Sequence, residues 1–284
     1  MSMVWVVFFM AVKQYFNTDV KNVKWIKEGR GAGHGDSYLP WLTVRDLASR
    51  GRSQRVFGYK TLRTHHLLSD LELAVFLILE WRTTTTDIRE QFPLRFEDTL
   101  NLAKKAGIKH PQVQGINQIM SSDFLVNTGD PSCPKFALQA KYAKDLQDAR
   151  TVEKLELERC YWQSKSVPWQ VVTEKEISPI VFQNINWLFP TQRDEVDDKQ
   201  LIDRIDFYQH MMKKNSDQKV IDVTRKLDMA YNMEMGESLL ELRQLMAKRY
   251  FKFDIFIPFK KLKAIDLKVG DVKLIQEVRH VSNQ

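Results

Sequence analysis

Asp123-Phe124-Leu125-Val126-Asn127-Thr128 and Phe136-Ala137-Leu138-Gln139-Ala140-Lys141-Tyr142 read as the two strands of a hairpin. The segment between them, Gly129-Asp130-Pro131-Ser132-Cys133-Pro134, is built of turn formers. Both runs are apolar except at a few positions, and the exceptions carry the chemistry. Side chains alternate across a strand, so Gln139 and Lys141 share one face while Leu138 and Ala140 point the other way. An acid on one strand and a Q-x-K pair on the next is the arrangement that metal-dependent phosphodiester hydrolysis requires. The carboxylate and a second oxygen ligand hold a divalent cation, and the Lys orients or deprotonates the attacking water. Taken singly, Asp123 also reads as a turn residue at a strand end, and Lys141 as a solvated edge charge.

Working outward, Ser69 to Trp81 predicts a helix with Ser69 as N-cap and a nearly all-apolar body (Leu71, Leu73, Ala74, Val75, Phe76, Leu77, Ile78, Leu79). A helix apolar all round is a buried one. Ser69-Asp70-Leu71-Glu72 matches a capping box, in which Glu72 closes back on the Ser69 amide. The same position at the end of a buried helix can instead deliver Glu72 to the sheet edge beside Asp123, as a second metal-binding carboxylate. Thr83 to Phe92 reads as a strand stopped by Pro93, Ala149 to Lys165 as a charged helix, and Pro168 to Thr173 as a short strand. On that charged helix Glu153, Glu156 and Glu158 read as a solvated face. The order is helix, three strands, helix, strand: an α/β core with helices against a central sheet.

Beyond about residue 176 the character changes. Apolar residues at helical spacing run through 197–214, 217–231 and 236–249, followed by β-like segments at 251–257 and 267–275. Three helices and a small hairpin predict a winged-helix module, giving domains 1–176 and 177–284. Basic and acidic residues nearly balance in this second domain, which favours docking of a protein partner over a DNA-binding face.

The chain has 284 residues, 43% hydrophobic and 28% charged, with a net charge of +7. That composition describes an ordinary globular protein, and its charge favours a polyanionic partner. Arg30 lies in the glycine-rich run Gly29–Gly35, which lacks the P-loop pattern and reads either as a DNA-contact loop or as a plain surface loop. Arg45, Arg50, Arg52, Arg55, Lys60 and Arg63 form a basic stretch able to neutralise backbone phosphates, or simply a solvated face. His65-His66 has no partner at metal spacing. Cys133 and Cys160 form no CxxC or Cys/His cluster, which argues against zinc or a disulfide framework and fits a reducing cytoplasm. The apolar Val4–Val12 stretch has no basic region before it and no cleavage site after it, so a signal peptide is not expected, and Met10 is a competing start.

Longer blocks carry a family likeness. IKEGRGAGHGDSYLPWLTV (26–44), HHLLSDLELAVFLILEW (65–81), DIREQFPL (87–94), GIKHP (107–111), MSSDFLV (120–126), the QAK triplet (139–141) and EKLELERCYW (153–162) resemble TnsA, the endonuclease family of heteromeric cut-and-paste transposases. GESLLELRQLMAKRYFKFDIF (236–256) matches more weakly. The resemblance implies a restriction-endonuclease-like core of the PD-(D/E)xK type followed by an all-α, winged-helix C-terminal domain. It places the catalytic and metal-binding roles on Glu72, Asp123 and Gln139, and the basic catalytic role on Lys141, with the main-chain carbonyl of Ala140 as an extra ligand and Glu158 near the site. It further implies Mg²⁺ (Mn²⁺ substituting), two ions, and 5′-strand cutting at transposon ends in a cytoplasmic, DNA-associated complex. A TnsB-like DDE transposase and a TnsC-like AAA+ ATPase regulator would be the partners. The fold is shared by standalone restriction-type or junction-resolving nucleases, and the C-terminal module alone would suit a non-catalytic DNA-binding adaptor.

Overall fold

The computed structural model describes residues 19–46, 52–193 and 198–270. Val4–Val12, Met10, Arg50 and the end of the 267–275 segment lie outside the described residues. The chain divides into two compact units, up to Ile177 and from Ser178.

The first unit is built on a mixed four-stranded sheet. Its strands are β3 (Thr85–Pro93), β6 (Ser121–Thr128), β7 (Lys135–Ala140) and β8 (Trp169–Val172), hydrogen-bonded in the order β3-β6-β7-β8. The first two pairings are antiparallel and β7–β8 is parallel. Before the sheet come α1 (Asp19–Lys27), a separate antiparallel hairpin of β1 (Gln54–Gly58) and β2 (Arg63–Leu67), and α2 (Asp70–Trp81). Between β3 and β6 lie α3 (Phe96–Ala106) and a two-residue ribbon of β4 (Gln112–Val113) and β5 (Ile116–Asn117); α4 (Ala149–Ser164) follows β7.

Both faces of the sheet are covered. Leu125 and Ala137, paired across β6 and β7, are buried against Tyr161 and Trp162 of α4, with Leu94 and Leu102 completing the cluster. Their neighbours Phe124, Val126 and Leu138 point the opposite way by strand alternation and are equally buried. The apolar α2 packs against β3 and β7, which explains why it lacks a polar stripe.

The elements anticipated at 69–81, 83–92, 123–128, 136–142, 149–165 and 168–173 are present within a few residues. The β1–β2 hairpin, α1 and α3 were not anticipated. The hairpin falls in the stretch read only as basic. There Arg55, Phe57, Thr64 and other polar or exposed residues alternate without a continuous apolar face, so its strand signal is weak.

The second unit holds α5 (Pro179–Leu188), α6 (Asp198–Lys214), α7 (Val220–Ala230) and α8 (Glu237–Ala247), then a short antiparallel ladder of β9 (Phe251–Lys252) and β10 (Lys268–Val269). A single bridge joins Lys219, just before α7, to Lys263. α5 is a helix that the sequence reading missed. Asn184 on α5 donates to the carbonyls of Ile255 and Ile257 and accepts from Phe259 N, so this helix anchors the segment between the two short strands. The strand expected over 251–257 is only two residues long, because the Asn184 bonds and an Asp254 turn take up its backbone groups instead.

Candidate active site

The site begins where the ladders break. Pairing between β6 and β7 runs from Asn127–Lys135 to Phe124–Leu138 and then stops. One step further, side-chain acceptors on Asp123 and Gln139 take the place of main-chain ones. Asp123 N donates to Gln139 Oε1 at 3.0 Å, and Ala140 N donates to Asp123 Oδ2 at 2.8 Å. The β3–β6 ladder also skips this level, pairing Glu90 with Phe124 and Phe92 with Ser122. The skipped residue on β3 is Gln91, held at φ 47°, a left-handed conformation that costs a non-glycine residue on the order of 1 kcal/mol or more. Irregularity on both sides of Asp123 frees its carboxylate from sheet packing.

Glu72 arrives from the first turn of α2. Ser69 caps the helix by accepting from Glu72 N at 3.1 Å. The Glu72 carboxylate accepts from Ser69 Oγ at 3.0 Å and from the Leu68 amide at 2.9 Å, one residue earlier than the box predicts. The capping role and the delivery of a carboxylate to Asp123 therefore coexist. Gln91 Nε2 donates to both acids, at 3.1 Å to Asp123 Oδ1 and at 3.4 Å to Glu72 Oε2. Both acids are buried, at 6% exposure each. Burial and then the nearby Asp123 charge push the Glu72 carboxyl up to about 8. Lys141 follows β7 and is anchored by its own amide to Val172 O. The Asp123 charge chiefly, then Glu72 and Glu158, hold the Lys141 ammonium above its ordinary value against desolvation. An ammonium held there is suited to stabilising negative charge and orienting water.

Glu158 corrects one expectation. Glu153 and Glu156 do lie toward solvent, paired with Arg150 and Arg159. Glu158 is 3% exposed, so it does not belong to a solvated face. It accepts from Ser122 Oγ and from Trp169 Nε1 at 2.8 Å, and burial pushes its carboxyl up to about 8. A cleft of about 280 Å³ opens onto Gln139, Lys141, Glu158, Thr151 and Lys154. Among the described residues no three His, Cys, Asp or Glu side chains converge at metal spacing.

The basic residues separate into two groups. Arg63 is 8% exposed and forms a two-pronged pair with the fully buried Glu90, while donating to Gly35 O and Ile88 O. It ties the hairpin to β3 and is not available to a phosphate, contrary to expectation. Arg30 is likewise engaged, bonded to Asp46 Oδ2 at 2.7 Å and to Trp41 O, with its guanidinium over the Trp25 ring. Lys60 donates to Thr85 O at 2.8 Å. Arg45, Arg52 and Arg55 are exposed. His65 is a structural histidine, bonded to Glu90 and Thr61. Burial of Glu90 opposes its ionisation, but the charge of His65 and the Arg63 bonds outweigh this and hold it well below the carboxylate range. The glycine-rich loop packs onto β3, with Gly35 N donating to Asp87.

Gln91 is the site residue that sequence reasoning passed over. Its one signal was a polar side chain in a strand otherwise read as structural, lying opposite Asp123 once the register is known.

Comparison with known proteins places the chain beside nucleases. Residues 82–174 match the family model of the TnsA-like endonuclease N terminus, and residues 176–255 that of the TnsA endonuclease C terminus. Asp123, Gln139, Lys141 and Glu158 fall inside the first match, and Glu72 lies upstream of it. The chain is 48% identical over 266 residues to the transposition protein TnsA of transposon Tn7 from Escherichia coli, covering 94% of this chain and 97% of that protein.

Proposed function

The chain belongs to the TnsA endonuclease family, and from that premise we propose that it is a Mg²⁺-dependent DNA endonuclease that cuts the 5′ strands at transposon ends. The observation that carries this reading is the double ladder break at Asp123, which brings a second buried carboxylate, Glu72, within reach of the same amide nitrogen.

The donor set fits a hard divalent cation. Each Asp123 oxygen accepts one hydrogen bond and keeps a lone pair, and Gln139 Oε1 has a second lone pair beyond its bond to Asp123 N. Mg²⁺ retains several waters, so Glu72, Asp123, Gln139 and the Ala140 carbonyl suffice for two ions, and Mn²⁺ would substitute. When bound, such a cation activates a water and offsets charge developing on the phosphate oxygens. Lys141 supplies a fixed positive charge beside that water. Lys154 and Thr151 line the approach through the cleft. Among the described residues of the expected phosphate-contact stretch, Arg45, Arg52 and Arg55 stay exposed.

The second unit is read as a winged-helix docking module, supported by α6, α7 and α8 followed by the β9–β10 ladder. The partners are a TnsB-like DDE transposase, which cuts and joins the 3′ ends, and a TnsC-like AAA+ regulator. In a reaction reconstituted with both partners, Asp123→Ala and Glu72→Ala lower 5′ cutting at least on the order of 10²-fold. Cutting of the 3′ strands and complex assembly persist. Undiminished 5′ cuts in Asp123→Ala refute the assignment, and efficient cutting by this chain alone points to a standalone nuclease.

A further inference from the structure

We infer that Gln91 is the positioning residue that clamps Glu72 and Asp123 at cation-binding spacing, and that it thereby sets the affinity of the site for its metal. The inference rests on the reading of those two acids as metal ligands.

Two buried carboxylates repel each other, and in a low-dielectric setting that repulsion drives them apart or protonates one of them. Gln91 supplies a donor to each acid from a single nitrogen. Its carboxamide is also fixed in direction. Oε1 accepts from Ser121 Oγ at 3.1 Å, which leaves Nε2 for the acids, the arrangement that pairs both ends of the amide when the acids are ionised. The backbone is held as well: the Gln91 carbonyl accepts from Trp41 N at 3.2 Å, and the residue keeps its left-handed φ within β3, two residues before the strand ends. Gln91 is 3% exposed, so no water substitutes for it cheaply. Asp123 Oδ1 accepts only from Gln91 and keeps a free lone pair. Although Glu72 Oε2 accepts from both Leu68 N and Gln91 Nε2, Glu72 Oε1 accepts only from Ser69 Oγ and keeps one, so clamp and cation can be present together. Hydrogen-bonding partners of ligating carboxylates commonly change metal affinity on the order of 10–100-fold.

The test is calorimetric titration of the full chain with Mn²⁺ alone, read beside the thermal midpoint of the metal-free protein. Gln91→Met keeps length and volume but removes the donors. It is expected to weaken Mn²⁺ binding on the order of 10–100-fold. A purely structural Gln91 lowers the midpoint but leaves affinity within about threefold, and that result overturns the proposal. Ser121→Ala, at a partly exposed position, removes only the bond that aims the amide. It is expected to weaken binding about fivefold, and it keeps the proposal testable if Gln91→Met does not fold; unchanged affinity there refutes it. Asp123→Ala separates the two readings. If it binds Mn²⁺ like the parent, the metal site itself is wrong. If it abolishes binding while Gln91→Met does not weaken it, only the clamp falls.

Discussion

Glu80, near the C-terminal end of α2, is 5% exposed and accepts from the Tyr59 and Lys60 amides through one oxygen, while its other oxygen has no partner. Burial pushes its carboxyl up to about 7, against the opposing charge of Lys60, from an ordinary value of 4.5. Between those two values the unfolded chain has released this proton and the folded chain still holds it. The folded state then binds more protons, so stability falls as pH rises through the window, and the loss is complete above it. The full effect is at most about 3 kcal/mol. Glu80→Gln keeps an acceptor for the two amides and cannot ionise. It is expected to raise stability at pH 8 by about 1–2 kcal/mol and to leave it nearly unchanged at pH 4. Urea denaturation at the two pH values checks this, and equal pH slopes for the two proteins would count against it. Glu72 and Glu158 titrate in an overlapping range, so only the difference between variant and parent isolates Glu80.

At the scale of elements, the glycine-rich loop is fixed by its close approach to β3. A Cβ at Gly31 would lie 2.2 Å from Pro93 Cγ at the end of β3, and its φ of 78° is left-handed. Gly31→Ala is therefore expected to destabilise the first unit by about 2–4 kcal/mol, combining strain with a steric clash. Chemical denaturation measures that cost, and a change below about 0.5 kcal/mol would mean that the loop is not packed this way. The helices α2 and α4 and the strands of the main sheet were legible because their signals are local: the Ser69 cap, the stop at Pro93, the turn at 129–134. Asp123, Gln139 and Lys141 were legible for the same reason, since strand periodicity puts them on adjacent segments. What stayed hidden depends on long-range pairing. The burial of Arg63 and Glu158 follows from partners 27 and 36 residues away, Glu90 and Ser122. Gln91 becomes significant only when β3 is set in register against β6.

At the scale of the molecule, the two compact units are read as dividing the work, with chemistry in the first and partner docking in the second. The second unit exposes Met229, Tyr231, Met235 and Leu240 within a dozen residues spanning the α7–α8 turn, with Met235 at 96% exposure. These exposed apolar side chains, close together in sequence, are read as part of the docking surface proposed for the second unit. Negative charge there opposes such burial. The double variant Met235→Glu, Leu240→Glu is therefore expected to weaken association with the ATPase regulator by at least about 2 kcal/mol, roughly thirtyfold. Its Mn²⁺ affinity should match the parent, because both substitutions lie in the unit that carries none of the proposed metal ligands. Co-sedimentation with the regulator and Mn²⁺ titration on the same preparation measure both quantities. Full association by this variant moves the docking surface elsewhere. Loss of Mn²⁺ binding together with association would instead mean that the two units do not act independently.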